Sequence, residues 1–146
     1  MKTAANILKS KSDASVFSIT PSAPVYQALQ LMADKNIGAL LVMDNDTIVG
    51  IFTERDYARK VALKGRTSEQ TLVREIMVSA VKFVGPNHTS DECMALMTKG
   101  RLRHLPVVDN GKLLGLISIG DLVNDIISEQ QFIIGQLEHY ITGKHA

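Results

Sequence analysis

Two seven-residue stretches hold the residues of this chain whose types and spacing could do chemistry. Gly50-Ile51-Phe52-Thr53-Glu54-Arg55-Asp56 and Gly115-Leu116-Ile117-Ser118-Ile119-Gly120-Asp121 share one pattern: glycine, two apolar residues, threonine or serine, two variable residues, aspartate. A hydroxyl residue with an acid three positions on is the signature of a helix capping box, in which each side chain satisfies a free backbone N–H. Both occurrences use Asp rather than the commoner Glu. A helix N-terminus also turns free N–H groups and the positive end of its macrodipole toward a phosphate. A short carboxylate fixed beside such an end suits two hydrogen bonds from vicinal ribose hydroxyls. Capping and nucleotide binding are the two uses these residues admit.

The two motifs are corresponding parts of one duplication. Residues 21–57 and 86–122 align without a gap at an offset of 65 (86 − 21), with nine identities over 37 positions. The identical pairs are Pro21/Pro86, Leu31/Leu96, Met32/Met97, Leu40/Leu105, Val42/Val107, Asp44/Asp109, Asn45/Asn110, Gly50/Gly115 and Asp56/Asp121. Composition alone would give roughly two. Function is therefore expected at or between the two copies.

Each copy reads as strand, helix, strand, strand, helix. Residues 16–19 form a short β-prone run stopped by Thr20-Pro21. Pro24 suits a helix start, Val25, Ala28, Leu29 and Met32 give that helix an apolar face, and Asn36 and Gly38 end it. Residues 39–43 and 48–52 read as a hairpin around Asp44-Asn45-Asp46, apolar on both faces and so covered on both sides. The second of these strands runs through Thr53 into a helix reaching about Lys64. Copy two repeats the plan with a strand at 81–84, a helix over 89–99, and a hairpin of 105–108 with 113–117 around Asp109-Asn110-Gly111. Between the copies, 65–71 is a polar connector and 72–77 a short helical turn. After copy two, Leu122, Val123, Ile126, Ile127, Ile133, Ile134, Leu137, Tyr140 and Ile141 keep helical spacing well past the point where copy one's helix stops. That is roughly 30 Å of amphipathic helix. Its apolar face wants another surface, most simply that of a second copy of the chain.

Composition narrows the function classes. With 146 residues the chain has the size of one compact domain, and halves of about sixty residues would be marginal alone, which favours a shared core. A net charge of +1 with mixed signs gives no reason to expect nucleic acid or an anionic membrane as partner. No apolar run approaches about 18 residues, so no transmembrane helix is expected, and residues 1–12 lack the apolar stretch of a signal peptide. The single cysteine, Cys93, excludes an internal disulfide and fits a reducing cytoplasm. Cys93 aligns with Ala28 in a helical pattern and reads as a small buried residue. No enzyme and no metal site are expected: there is no Gly-rich P-loop, no nucleophile with an evident partner, and no two histidines (His88, His139 and His145 among them) at ligand spacing. Asp44, Asp46 and Asp109 read as turn acids, and Glu54, Asp91 and Glu92 as first-turn acids favoured by the helix dipole.

The duplicated plan, the proline near the head of each copy and the two capped junctions resemble a tandem pair of cystathionine β-synthase (CBS) domains, a Bateman module. The resemblance runs over about residues 7–127 and is closest to small stand-alone CBS-pair proteins. It implies an α+β fold of mixed α/β character: two repeats (7–64 and 72–128), each β-α-β-β-α with a small mixed sheet, packed sheet to sheet about a pseudo-twofold axis, and an extended C-terminal helix (129–143). It also implies two clefts that take adenosine compounds such as AMP, ADP, ATP, NAD or S-adenosylmethionine. By that resemblance Asp56 and Asp121 hold ribose, and Thr53 and Ser118 reach ribose or phosphate. The adenine pockets would be lined by Ile37, Gly38 and Ala39 with Ile19, Thr20 and Pro21, and by Leu102, Arg103 and His104 with Val84, Gly85 and Pro86.

The copies are unequal. Copy one has Gly38-Ala39 where copy two has Arg103-His104, and Arg55 where copy two has Gly120. Arg55, Arg103 and His104 are the candidates to meet phosphates, against a plainer reading as solvated or structural side chains. The sequence is thus expected to encode a cytoplasmic, homodimeric, nucleotide-sensing regulatory module, acting on itself or on a client protein, with one cleft binding better than the other. The alternative is a structural homodimerisation module whose motifs are caps and which takes no ligand.

Overall fold

The computed structural model describes residues 2–11 and 15–142; His145 and Gly143 lie outside them. Thr3 caps α1 (Ala4–Ser10), its hydroxyl oxygen accepting the Asn6 N–H. β1 (Ser18–Ile19) is followed by α2 (Val25–Lys35), which Pro24 precedes and which stops where Asn36 turns left-handed at φ 55°. β2 (Ala39–Asp44) and β3 (Thr47–Thr53) pair antiparallel across Asn45-Asp46. α3 (Glu54–Tyr57) continues as a π-helical turn over Ala58–Ala62. A short α4 (Val73–Ile76) and α5 (Ser90–Gly100) come next, the latter ended by left-handed Arg101. β4 (His104–Asp109) and β5 (Lys112–Ser118) form the second hairpin. Its turn residues Asn110 and Gly111 have φ of 52° and 78°, the pair of left-handed residues that a type I′ turn needs. α6 (Ile119–Thr142) is one unbroken helix of 24 residues, about 36 Å long.

The class is mixed α+β with two small sheets and a long last helix, as the sequence leads one to expect. The sheets differ in one respect. Copy one has three strands in the order β1-β2-β3, with β1 parallel to β2, whereas copy two has β4-β5 alone. The strand expected at 81–84 reduces to a single parallel bridge between Val84 and Val107. The cause is Pro106. In copy one the Leu41 N–H donates to Phe17 O at 3.4 Å, and the aligned bond in copy two would run from residue 106 to Lys82. Proline has no N–H to give, so the ladder ends after Val84 has made its two bonds, to Pro106 O and from Val108 N–H.

The described residues fall into two units, Ser15–Lys82 and a second that joins the N-terminal segment to everything from Phe83 onward. Their buried apolar residues form two clusters, one per unit, where the size of each half suggests a single core. One is built from Val25, Ala28, Met32, Leu40, Val42, Phe52, Val61, Val73 and Ile76. The other comprises Ala4, Ile7, Val84, Cys93, Met97, Leu105, Val107, Ile117 and Leu122. Cys93 is fully buried, as expected, and burial pushes its thiol pKa up.

The short helices cross over between copies. α4 leads into copy two yet packs on β3, and α1 leads into copy one yet packs on β5. Each comes so close to its sheet that a Cβ on the motif glycine would push a neighbouring side chain aside. A Cβ on Gly50 would lie 2.6 Å from Met77 Sδ, beside the end of α4, and one on Gly115 would lie 2.7 Å from Leu8 Cδ2 of α1. The glycine of the shared motif is thereby accounted for by packing.

Candidate functional site

In copy one, Thr53 ends β3 opposite Ala39, the first residue of β2. The Glu54 N–H donates to Gly38 O at 3.1 Å, which fixes residues 37–39 against the start of α3. Thr53 and Asp56 form a complete capping box. The Thr53 N–H and hydroxyl both donate to Asp56 Oδ2 at 3.0 Å, and the Asp56 N–H donates back to Thr53 Oγ1 at 3.2 Å. The other carboxylate oxygen is taken too, since Lys60 Nζ lies 3.1 Å from Asp56 Oδ1 and also donates to Ile76 O.

Copy two repeats the frame. Ser118 faces His104 in the β4–β5 register, and the Ile119 N–H donates to Arg103 O at 2.8 Å. The Ser118 N–H donates to Asp121 Oδ2 at 2.8 Å, and the Asp121 N–H to Ser118 Oγ at 3.1 Å. Here the lysine is a distant one: Lys11 Nζ sits 3.0 Å from Asp121 Oδ2 and donates to Leu116 O at 2.8 Å. Among the described residues no hydrogen bond or ion pair reaches Asp121 Oδ1. The Asp56 side chain is 10 % exposed and that of Asp121 19 %.

A family profile for the CBS domain matches residues 10–63 and 73–128. The chain belongs to the CBS domain family. The pair resembles a mitochondrial CBS domain-containing protein of Arabidopsis thaliana, CBSX3, at 37 % identity over 97 % of this chain and 72 % of that protein. Among solved structures it superposes on a protein with CBS domains from Burkholderia ambifaria MC40-6 with a TM-score of 0.85 and 57 % identity, covering 88 % of this chain and 96 % of that one. It also matches a hexameric CBS-CP12 protein from bloom-forming cyanobacteria, with a TM-score of 0.73 and 32 % identity over 83 % of this chain and 66 % of that one.

Within each unit of the CBS pair, the register brings some of the sequence-named residues together and separates others. Gly38 and Ala39 meet Glu54 and Thr53, and Arg103 and His104 meet Ile119 and Ser118, one turn before Asp56 and Asp121. Ile37 and Leu102 are half-buried just before their strands. Ile19 pairs with Val42, three residues along β2 from Ala39, and Val84 with Val107, three along β4 from His104. Ile19 and Val84 are core residues of their own units. Because these pairings are parallel, Thr20, Pro21, Gly85 and Pro86 follow at the far end of each strand from the cap, while the Pro21 and Pro86 carbonyls accept from Arg74 and Ala5. Arg55 and Arg103 are exposed. His104 is held below the ordinary histidine value by burial, with Lys11 and Arg103 adding to the depression and Asp121 opposing it.

Lys60 and Lys11 are the functional neighbours that the motif pattern does not reveal. Lys60 is legible in retrospect, because i and i+4 share a helix face. Lys11 is not, since 110 positions separate it from Asp121 (121 − 11). The residue aligned with Lys60 is Asp125 (60 + 65), so copy two carries an acid where copy one carries its local cation. Asp125 is buried, its side chain 3 % exposed, with Lys2 Nζ 2.8 Å from Oδ1 and no donor on Oδ2 among the described residues. Lys2, Ser10, Lys11, Asp121, Asn124, Asp125 and Ser128, with Ile7, line a cleft of about 370 Å³ between α1 and α6. Among the described residues no cluster of three or more His, Cys, Asp or Glu could hold a metal ion, and no helix is long and apolar enough to cross a membrane.

Proposed function

We propose that this CBS pair is a regulatory module that binds an adenosine-containing nucleotide, of the AMP, ADP, ATP or NAD class, and converts occupancy into a change in its own assembly or in its hold on a client protein. The observation that carries the reading is the state of Asp121. One carboxylate oxygen is anchored by the cap while Oδ1 carries no hydrogen bond from the described residues, leaving a rigid acceptor for a ribose hydroxyl. Asp56 is the equivalent group in copy one but has both oxygens engaged and is less exposed. Copy two is accordingly the better site. Thr53 and Ser118 sit beside the same sugar, and exposed Arg55 and Arg103 are the cations for its phosphates. His104, Gly38 and Ala39 flank the ribose carboxylates; Ile19, Thr20, Pro21, Val84, Gly85 and Pro86, which the sequence leads one to expect around the adenine, lie in the cores or at the far strand ends and are left out of the proposed site.

The module works without catalysis, by a population shift that the nucleotide's charge drives. The reducing cytoplasm is the setting we propose for it, where buried Cys93 stays a thiol. Thermal melting with AMP, ADP, ATP and NAD tests the reading. A binding compound at a hundredfold excess over its Kd raises stability by about 2.7 kcal/mol, and no shift with any of the four overturns it.

A second reading has its own support. Both capping boxes are complete within the protein, and Phe132, Ile133, Ile134, Leu137, Tyr140 and Ile141 of α6 are exposed. On that reading the chain is a structural homodimerisation module and the motif acids serve only to start helices. Asp56→Ala and Asp121→Ala separate the two: each removes one nucleotide site on the first reading, and each costs only stability on the second.

A further inference from the structure

We infer that Lys11 is an internal competitor for the copy-two ribose site, so that nucleotide binding at Asp121 and docking of α1 oppose each other; this rests on the nucleotide reading above. A carboxylate oxygen has two lone pairs. Asp121 Oδ2 spends one on the Ser118 N–H at 2.8 Å and the other on Lys11 Nζ at 3.0 Å. A vicinal diol that grips a carboxylate through both oxygens needs the position Lys11 holds. Oδ1 keeps two lone pairs of its own, but the parallel grip, with one hydroxyl on each carboxylate oxygen, requires the ammonium to leave Oδ2.

Lys11 is not free to leave by itself. It lies at the C-terminal cap of α1 and is pinned a second time by its bond to Leu116 O at 2.8 Å. α1 is docked by buried Ala4 and Ile7, by Leu8 over Gly115, and by backbone bonds from Ala4 to His88 O and from Ala5 to Pro86 O. Lys2 adds its ion contact with Asp125. Displacing Lys11 therefore loosens the C-terminal end of α1.

Copy one has no counterpart to this arrangement. Its lysine, Lys60, comes from the helix that carries Asp56, one turn on, so it stays beside the carboxylate even though it also donates to Ile76 O of α4. Among the described residues, only the copy-two carboxylate takes its cation from a segment remote in sequence. Linkage makes the coupling reciprocal: whatever α1 docking costs the nucleotide, the nucleotide costs α1 docking.

The test uses the full chain carrying Asp56→Asn, which leaves Asp121 as the remaining motif carboxylate, with and without Lys11→Met, and reads AMP, ADP, ATP and NAD binding by calorimetry. Lys11→Met keeps the apolar stem and removes the charge. Relief of an ion pair of this exposure is expected to tighten binding about fivefold. Lys11→Arg, which keeps the cation, should bind like the parent. Hydrogen exchange of the unsubstituted protein provides a readout that needs no variant: the Ala4–Ser10 amides should exchange faster with the bound nucleotide than without. Equal or weaker binding by Lys11→Met, or slower exchange in α1, overturns the competition and would make Lys11 a bystander or a ligand contact. If neither the parent nor Lys11→Met binds any of the four compounds, the nucleotide reading itself falls and the competition with it.

Discussion

At the residue scale, the same two side chains of each motif serve a cap and are offered to a ligand, and their costs can be told apart. Thr53→Ala or Ser118→Ala removes a side-chain acceptor for an N–H at a helix start and should cost about 1 kcal/mol of stability, read by urea unfolding. Asp121→Asn keeps an oxygen for the Ser118 N–H but loses the charge, so it should weaken nucleotide binding far more than folding. His104 adds a pH dependence whose sign follows from its depressed pKa. The unfolded chain takes up a proton near the ordinary value of 6.5, whereas folded His104 resists it. The stability tied to neutral His104 is therefore present above pH 6.5 and lost as pH falls below it. Urea midpoints at pH 7.5 and 5.5 should differ, and His104→Gln should shrink the difference. Glu92, held below its ordinary 4.5 by the Thr89 backbone and hydroxyl, contributes stability above pH 4.5 that is lost on further acidification.

Elements explain what residue types alone leave open. The motif glycines serve neighbouring helices: Gly115→Ala should cost about 1–3 kcal/mol by overpacking against Leu8. Leu8→Ala should recover part of that loss in the double variant, a coupling that denaturant melts of the cycle would show. Pro106 is the corresponding lesson for strands. In Pro106→Leu the new N–H should donate to the Lys82 carbonyl, as that of Leu41 does to Phe17. A slowly exchanging amide at position 106 is the measurable outcome. The hairpins, α2, α5 and the connector turn are legible in the sequence because proline, asparagine, glycine and alternating apolar residues act locally. The missing strand is harder to read, because its failure is caused by a residue more than twenty positions away on its partner.

For the whole molecule, α6 is the open question of assembly. Its last buried residues are Leu122 and Asp125, and beyond them it carries an exposed apolar stripe. We propose a second copy of the chain as the partner, since isolated apolar patches of this extent mark association sites. Ile133→Glu with Leu137→Glu, one turn apart on that stripe, should lower the mass seen by light scattering to that of the 16.0 kDa chain. Unchanged mass would move the interface elsewhere. The exchange of short helices also matters at this scale, since α1 and α4 each join the unit of the copy they do not precede.

The sequence by itself determined the duplication, the family, the mixed α+β class and the two capped junctions with Thr53, Asp56, Ser118 and Asp121. Those features are local or periodic, and caps, turns and amphipathic stripes are written in residues a few positions apart. Tertiary structure decided what surrounds the carboxylates. Lys11 on Asp121, Lys2 on Asp125 and Leu8 over Gly115 are contacts across more than a hundred residues of chain. Their existence depends on α1 docking onto copy two, and no spacing rule relates a surface lysine near one end of a chain to an aspartate near the other. The inequality of the copies was visible as Gly38-Ala39 against Arg103-His104. Its physical form is a different one: copy one supplies its lysine from its own helix, and copy two borrows its own from α1.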